Sequence, residues 1–193
     1  MGHAPPLNKT VPNQPALLGF TGFSGAGKTA LITAILPGLL TQGLRIATLK
    51  HTHHHLDLDQ PGSDSWRHKH AGAETSLLLT PDHLQLIQNA NLLSQEDPGQ
   101  WISRYCQDID LVISEGFNQA PYAKIEVQRH ACNTQLRCVG DPNLIAIVSD
   151  LTHKQPLPHF LPGDITGITH FILDWFSSMA SPQPTEPACL TKT

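Results

Sequence analysis

Charge is scarce in this chain. Asp, Glu, Lys and Arg make up 15% of its 193 residues, and the formal net charge is -4 with histidine neutral. Binding to nucleic acid or to an anionic membrane draws on a surplus of basic residues. None is present, so the expectation is no nucleic-acid partner and no membrane. No apolar run reaches the roughly 20 residues of a membrane-crossing helix. The start of the chain lacks a basic stretch followed by an apolar one, the mark of a secretory signal, so a cytoplasmic location is expected. Cysteine is scarce too: Cys106, Cys132, Cys138 and Cys189 form no C-x-x-C pair and no zinc spacing. They read as reduced thiols rather than as a disulfide framework. Hydrophobic content of 39% suits a globular chain, and this length supports one domain with a real core. Prolines crowd both ends. The expected organisation is a flexible segment over 1–15, one nucleotide-binding domain over 16–179 and a flexible tail over 180–193.

Against these absences stands one complete motif. Gly22-Phe-Ser-Gly-Ala-Gly-Lys-Thr29 is G-x-x-x-x-G-K-T, a phosphate-binding loop. Ala16–Phe20 reads as a strand before it. Ala30–Leu40 reads as a helix after it, with Leu31, Ile35, Leu36 and Leu39 at helical spacing. Strand, glycine-rich loop and helix is the context the motif requires. Glycines let successive backbone N–H groups turn toward one anion, and the helix N-terminus adds the positive end of its dipole. Gly22, Ser24, Gly25, Ala26, Gly27, Lys28 and Thr29 are therefore the candidate phosphate contacts. Lys28 is placed for the β- and γ-phosphates and the Thr29 hydroxyl for Mg²⁺. The motif names a polyphosphate, not a base.

Further along, strands and helices alternate. Strands are expected at 44–49, 75–80, 83–88, 111–113, 123–128 and 144–149, with helices at 64–71, 100–107 and 168–177. Asp64 is the expected cap of the second helix, and Asp97-Pro98 opens the third. The alternation argues for an α/β fold: a P-loop NTPase-like, mostly parallel sheet with helices on both faces.

Two other stretches carry chemistry. Asp110-Leu-Val-Ile-Ser-Glu115-Gly116 is an apolar strand ending in an acid. Ligands of open α/β sheets bind beyond the carboxyl ends of strands. Glu115 is thus a candidate for the metal or, as the one catalytic candidate, for the water, and Asp110 at the other end ranks below it. Lys50-His-Thr-His-His-His-Leu-Asp57-Leu-Asp59-Gln-Pro-Gly-Ser-Asp64 follows the second strand. Its acids Asp57 and Asp59 suit a Mg²⁺ shell beside Thr29. Its histidines, His51, His53, His54 and His55, suit Ni²⁺ or Zn²⁺, or form a solvated loop. Lys50, with Arg67, His68, Lys69 and His70 on the next helix, offers positive charge to an anion or to solvent.

Together these segments resemble the family of molybdopterin-guanine dinucleotide biosynthesis protein B, a small GTP-binding adaptor. The resemblance runs from about Leu17 to Asp150. It rests on Gly22–Thr29, Lys50-His-Thr-His-His, Asp57-x-Asp59-x-Pro61-Gly62-x-Asp64-Ser65, Ala71-Gly72-Ala73, Glu115-Gly116-Phe117, Ala123-Lys124-Ile125 and Ile145–Asp150. It implies a homodimer that binds GTP with Mg²⁺, hydrolyses it slowly and assists a guanylyltransferase in attaching GMP to molybdopterin. It also implies that Ser24–Thr29 hold the phosphates and that Thr29 ligates Mg²⁺, with Asp57 or Asp59 and Glu115 assisting; Lys50 joins the cofactor-binding candidates for its charge. Ser63 and Asn118 stand where the family usually has lysine, and Cys132–Asp141 matches no family segment. The N-K-x-D motif that reads guanine is absent after the loop. Two other functions fit the residues: a nickel-insertion GTPase, from the histidines, and an ATP-dependent ligase or kinase of the dethiobiotin synthetase type.

Overall fold

The computed structural model describes residues 14–52, 56–89, 98–132 and 135–180. They divide into two compact units. One runs up to His51 and resumes at Tyr105; the other is Thr52–Arg104.

The first unit is a six-stranded sheet with order β2-β5-β1-β6-β7-β8. The strands are β1 (Ala16–Thr21), β2 (Ile46–Lys50), β5 (Leu111–Glu115), β6 (Lys124–Gln128), β7 (Leu144–Ser149) and β8 (His159–Phe160). Every pairing is parallel. Parallel strands buried on both faces need apolar runs rather than alternation, which Leu111-Val112-Ile113 and Leu144-Ile-Ala-Ile-Val148 supply. Helices α1 (Lys28–Thr41) and α4 (Ile165–Ala180) pack on one face of the sheet. Leu31, Ile32, Ile35 and Leu39 of α1 and Ile168 and Ile172 of α4 join Leu18, Phe20, Ile113, Ile125, Val127 and Val148 in one core. Each fully buried Leu or Ile there contributes about 1.5–3 kcal/mol. On β6 the alternate residues Lys124, Glu126 and Gln128 are buried and polar, which sequence periodicity did not anticipate.

β1 lies between β5 and β6, and the chain crosses to one side for β2 and to the other for β6. Strand order reverses about β1, so its carboxyl end is the switch point where such sheets bind ligands. The glycine-rich loop leaves from that end. Gly43 follows the end of α1 with φ 78°, and α1 continues through Pro37.

The second unit carries α2 (Asp64–His70), the antiparallel pair β3 (Thr75–Leu79) and β4 (Leu84–Gln88), and most of α3 (Pro98–Tyr105). Ser63, not Asp64, caps α2: its hydroxyl accepts the Trp66 N–H at 3.2 Å. Asp64 is the first helical residue, where its charge suits the dipole. The expected opening of α3 at Asp97 lies outside the described residues, as do the termini beyond 14 and 180.

Candidate functional site

The loop Gly22–Lys28 is shaped by three glycines at positive φ: Gly22 at 131°, Gly25 at 79° and Gly27 at 92°. Gly22 has a second reason to be glycine. A Cβ there would overlap the Val127 carbonyl of β6, which allows the loop to start directly against the neighbouring strand. Ala26 is buried beneath the loop, and its N–H donates to the Phe23 carbonyl at 3.3 Å. Gly27 is the N-cap of α1.

Lys28 bends back over the loop. Its ammonium donates to the carbonyls of Gly22 at 3.1 Å and Phe23 at 2.9 Å. Burial holds its pKa below the ordinary lysine value, with Glu115 pulling it back up and Arg137 and Lys50 adding to the depression. The Thr29 hydroxyl points at Glu115, 2.8 and 3.0 Å from the two carboxylate oxygens. Lys50 completes the group, 3.4 Å from Glu115 Oε1 and 3.4 Å from the Thr29 hydroxyl. Thus α1, β2 and β5, distant in sequence, bring Thr29, Lys50 and Glu115 together. Asp110 sits at the other end of β5, nearly buried, where its carboxylate takes the Arg45 backbone N–H at 2.7 Å and its guanidinium at 3.2 Å. It braces the sheet, away from the loop.

The Lys50-His51 and Glu115-Gly116-Phe117 segments meet in space. The His51 N–H donates to the Glu115 carbonyl at 2.9 Å, and the His51 and Phe117 rings lie 4.9 Å apart. Gly116, at φ 101°, leaves room for the His51 carbonyl, which would stand 2.5 Å from any Cβ there. Asn118, where resemblance suggests lysine, accepts the Thr21 hydroxyl at 2.6 Å. Ser63, the other such position, is the cap of α2.

In the second unit Asp57 and Asp59 have partners of their own. Asp57 accepts the Trp66 indole N–H at 3.2 Å. Asp59 accepts from the Gln60 backbone at 2.9 Å and from Ser63 at 3.2 Å, and hydrogen bonds, Ser65's first, hold its carboxyl below the usual range. Arg67, His68, Lys69 and His70 form the last turn of α2, where positive charge complements the helix dipole, and His70 stacks on Trp66 at 3.6 Å. His53, His54 and His55 lie outside the described residues. Among the described residues no group of three or more His, Cys, Asp or Glu side chains is arranged to hold a metal ion.

Sequence reasoning missed the segment between β6 and β7. Cys132 Sγ lies 3.5 Å from where a Cβ on Gly25 would stand, and Arg129 lies 3.8 Å from the same point on Gly27. The Arg137 guanidinium stands over the Phe23 ring at 5.6 Å. No motif marks these residues; only folding brings them to the loop.

A parallel α/β sheet with this loop at its switch point defines the class: a P-loop protein. The family model described as molybdopterin guanine dinucleotide synthesis protein B, MobB, matches residues 17–150. The chain belongs to that family. It is 32% identical over 161 residues to the molybdopterin-guanine dinucleotide biosynthesis adapter protein of Escherichia coli, covering 82% of this chain and 92% of that one. To the adapter protein of Haemophilus influenzae it is 37% identical over 164 residues, covering 84% and 90%. Among solved structures, a crystal structure of molybdopterin-guanine biosynthesis protein B superposes with a TM-score of 0.67 at 29% identity, over 83% of this chain and 99% of that one. Bacillus subtilis MobB gives 0.65 at 28%, over 82% and 96%.

Proposed function

We propose that this chain is an adapter of molybdopterin guanine dinucleotide biosynthesis that binds GTP with Mg²⁺, hydrolyses it slowly and assists the guanylyltransferase that joins GMP to molybdopterin. The observation that carries this reading is the meeting of Lys28, Thr29 and Glu115 at the loop of a chain whose curated relatives are named adapter proteins. Backbone N–H groups of Ser24–Lys28 and the α1 N-terminus offer an anion cradle. Thr29 and Glu115 present oxygens, which Mg²⁺ prefers, so these residues fit the ion. When bound, the ion would supply charge neutralisation between phosphate oxygens. Slow turnover fits the same geometry. Glu115 is engaged by Thr29 and Lys50 rather than held free to take a proton from a water. Asp57 and Asp59 stay assigned to the ion by resemblance alone. A cytoplasmic location goes with this role; among the described residues no helix is long and apolar enough to cross a membrane. Homodimerisation is supported by the exposed Leu77, Leu79, Leu84 and Leu86, which share one face of the β3–β4 pair, an apolar surface suited to a second copy.

The deciding experiment is calorimetric titration with GTP and ATP, with and without Mg²⁺, followed by co-purification with the guanylyltransferase. GTP is expected to bind in preference, in a Mg²⁺-dependent way. Binding of neither GTP nor the transferase would sink the reading. Glu115→Gln is expected to weaken Mg²⁺-supported GTP binding about tenfold, one charge-assisted contact's worth, and to leave Mg²⁺-free binding nearly unchanged.

A further inference from the structure

We propose that Arg129 and Arg137, from the segment joining β6 to β7, form a cationic clamp on the phosphate chain of the nucleotide held at Gly22–Thr29. This deepens the nucleotide-binding reading above and rests on it.

Two guanidinium groups approach the loop from the same segment. Arg129 Nε and Nη2 lie 3.8 and 3.9 Å from the point where a Cβ on Gly27 would stand, beside the N-cap of α1. Arg137 lies over Phe23, the residue after the first loop glycine. Cys132, between them in sequence, stands beside the loop, its Sγ 3.5 Å from where a Cβ on Gly25 would lie. The segment is pinned at both ends. The His130 N–H donates to Asp150 at 2.8 Å, and the fully buried Glu126 carboxylate takes the backbone N–H groups of Arg137 and of Cys138, the latter at 2.9 Å. A pinned segment presents its arginines with less entropy to lose on binding.

The charges at the loop call for an anion. Among the described residues, neither guanidinium has a carboxylate within ion-pair distance; the pairs formed are those of Arg45, Lys50, Arg67 and Lys124. Arg137 and Lys50 each lie close enough to repel the Lys28 ammonium, with Glu115 as the balancing carboxylate. The chain as a whole is acidic, at -4, so a local excess of cations is not a general surface property. Several cations gathered about the Glu115 carboxylate leave a surplus of like charge, whose cost a polyphosphate offsets, and the planar fork of arginine matches phosphate oxygens.

The test compares GTP, GDP and GMP, each with Mg²⁺, by calorimetry on the full chain and on Arg129→Ala and Arg137→Ala. Lys28→Ala serves as the control for the loop itself. Each arginine variant is expected to bind GTP about tenfold more weakly and GMP less than twofold more weakly. Arg→Lys is expected to recover much of the loss, and the fall of GTP affinity with salt is expected to become shallower. Equal losses for GTP and GMP would mean a structural role and overturn the clamp. So would unchanged GTP affinity in both arginine variants while Lys28→Ala weakens binding about a hundredfold. If Lys28→Ala itself binds GTP normally, the loop assignment fails and the clamp with it, a result distinct from the other two. Should Arg137→Ala fail to fold, Arg137→Met keeps an apolar stem over Phe23 and removes only the charge.

Discussion

Asp141→Asn is expected to destabilise the protein by about 3 kcal/mol, the low end for breaking a buried ion pair. Lys124 is 1% exposed, and its ammonium donates to the Asp141 carboxylate at 2.6 Å and to the carbonyls of Ala120 at 2.8 Å and Asn118 at 3.1 Å. Without the carboxylate, a buried positive charge keeps only neutral acceptors. The low end applies because the Asp141 side chain retains 21% of its exposure, and water can partly replace it. The hydrogen bond from Lys124, followed by that from the Asn143 backbone, holds the Asp141 carboxyl below its usual range. A depressed carboxyl adds stability above its unfolded value, near 4, and loses it as pH falls through the folded value. The gap between wild type and variant, read from urea midpoints, should therefore be full at pH 7 and shrink below about pH 4. The double variant Lys124→Met with Asp141→Asn should recover part of the loss, since replacing both partners removes the unpaired charge. A single variant as stable as wild type at neutral pH would show the pair to be dispensable.

Lys28→Ala should weaken GTP binding about a hundredfold, the upper range for hydrogen bonds to a charged group. Partial burial already strips the ammonium of some of its water and lowers its pKa, so it reaches a phosphate with part of its desolvation cost met by folding. It also rests on the loop carbonyls of Gly22 and Phe23, positioned before any ligand arrives. Stability should change by less than about 1 kcal/mol, because both hydrogen bonds are only part-buried and run to neutral carbonyls. Fluorescent-nucleotide titration beside a thermal melt separates the two effects. Unchanged affinity would remove the loop from the site.

Much of this was legible before folding, and for local reasons. The loop, its strand and its helix are contiguous, so one motif carries all three. β7 at Leu144–Ser149 was read at its true bounds because an unbroken apolar run is what a strand buried on both faces requires. Glu115 was placed by the same logic, as the acid at a strand's carboxyl end. β8, two residues long, offers no periodicity to read. The cap of α2 fell one residue early, at Ser63, because neighbouring Ser and Asp are equally good caps in sequence. The polar face of β6 was hidden for another reason. Lys124 and Glu126 are buried because Asp141 and the backbone at Arg137 and Cys138 return to them, and no local pattern encodes a partner that arrives 11 to 17 residues later.

The overhang of Cys132 on Gly25 has a practical corollary. Cys132 is exposed, whereas Cys138 is buried and Cys106 partly so. Burial also pushes both of those thiols up, away from the reactive thiolate. With Cys189 replaced, a maleimide dye would go selectively to Cys132, a few ångströms from the loop, and turn the protein into its own optical reporter of occupancy.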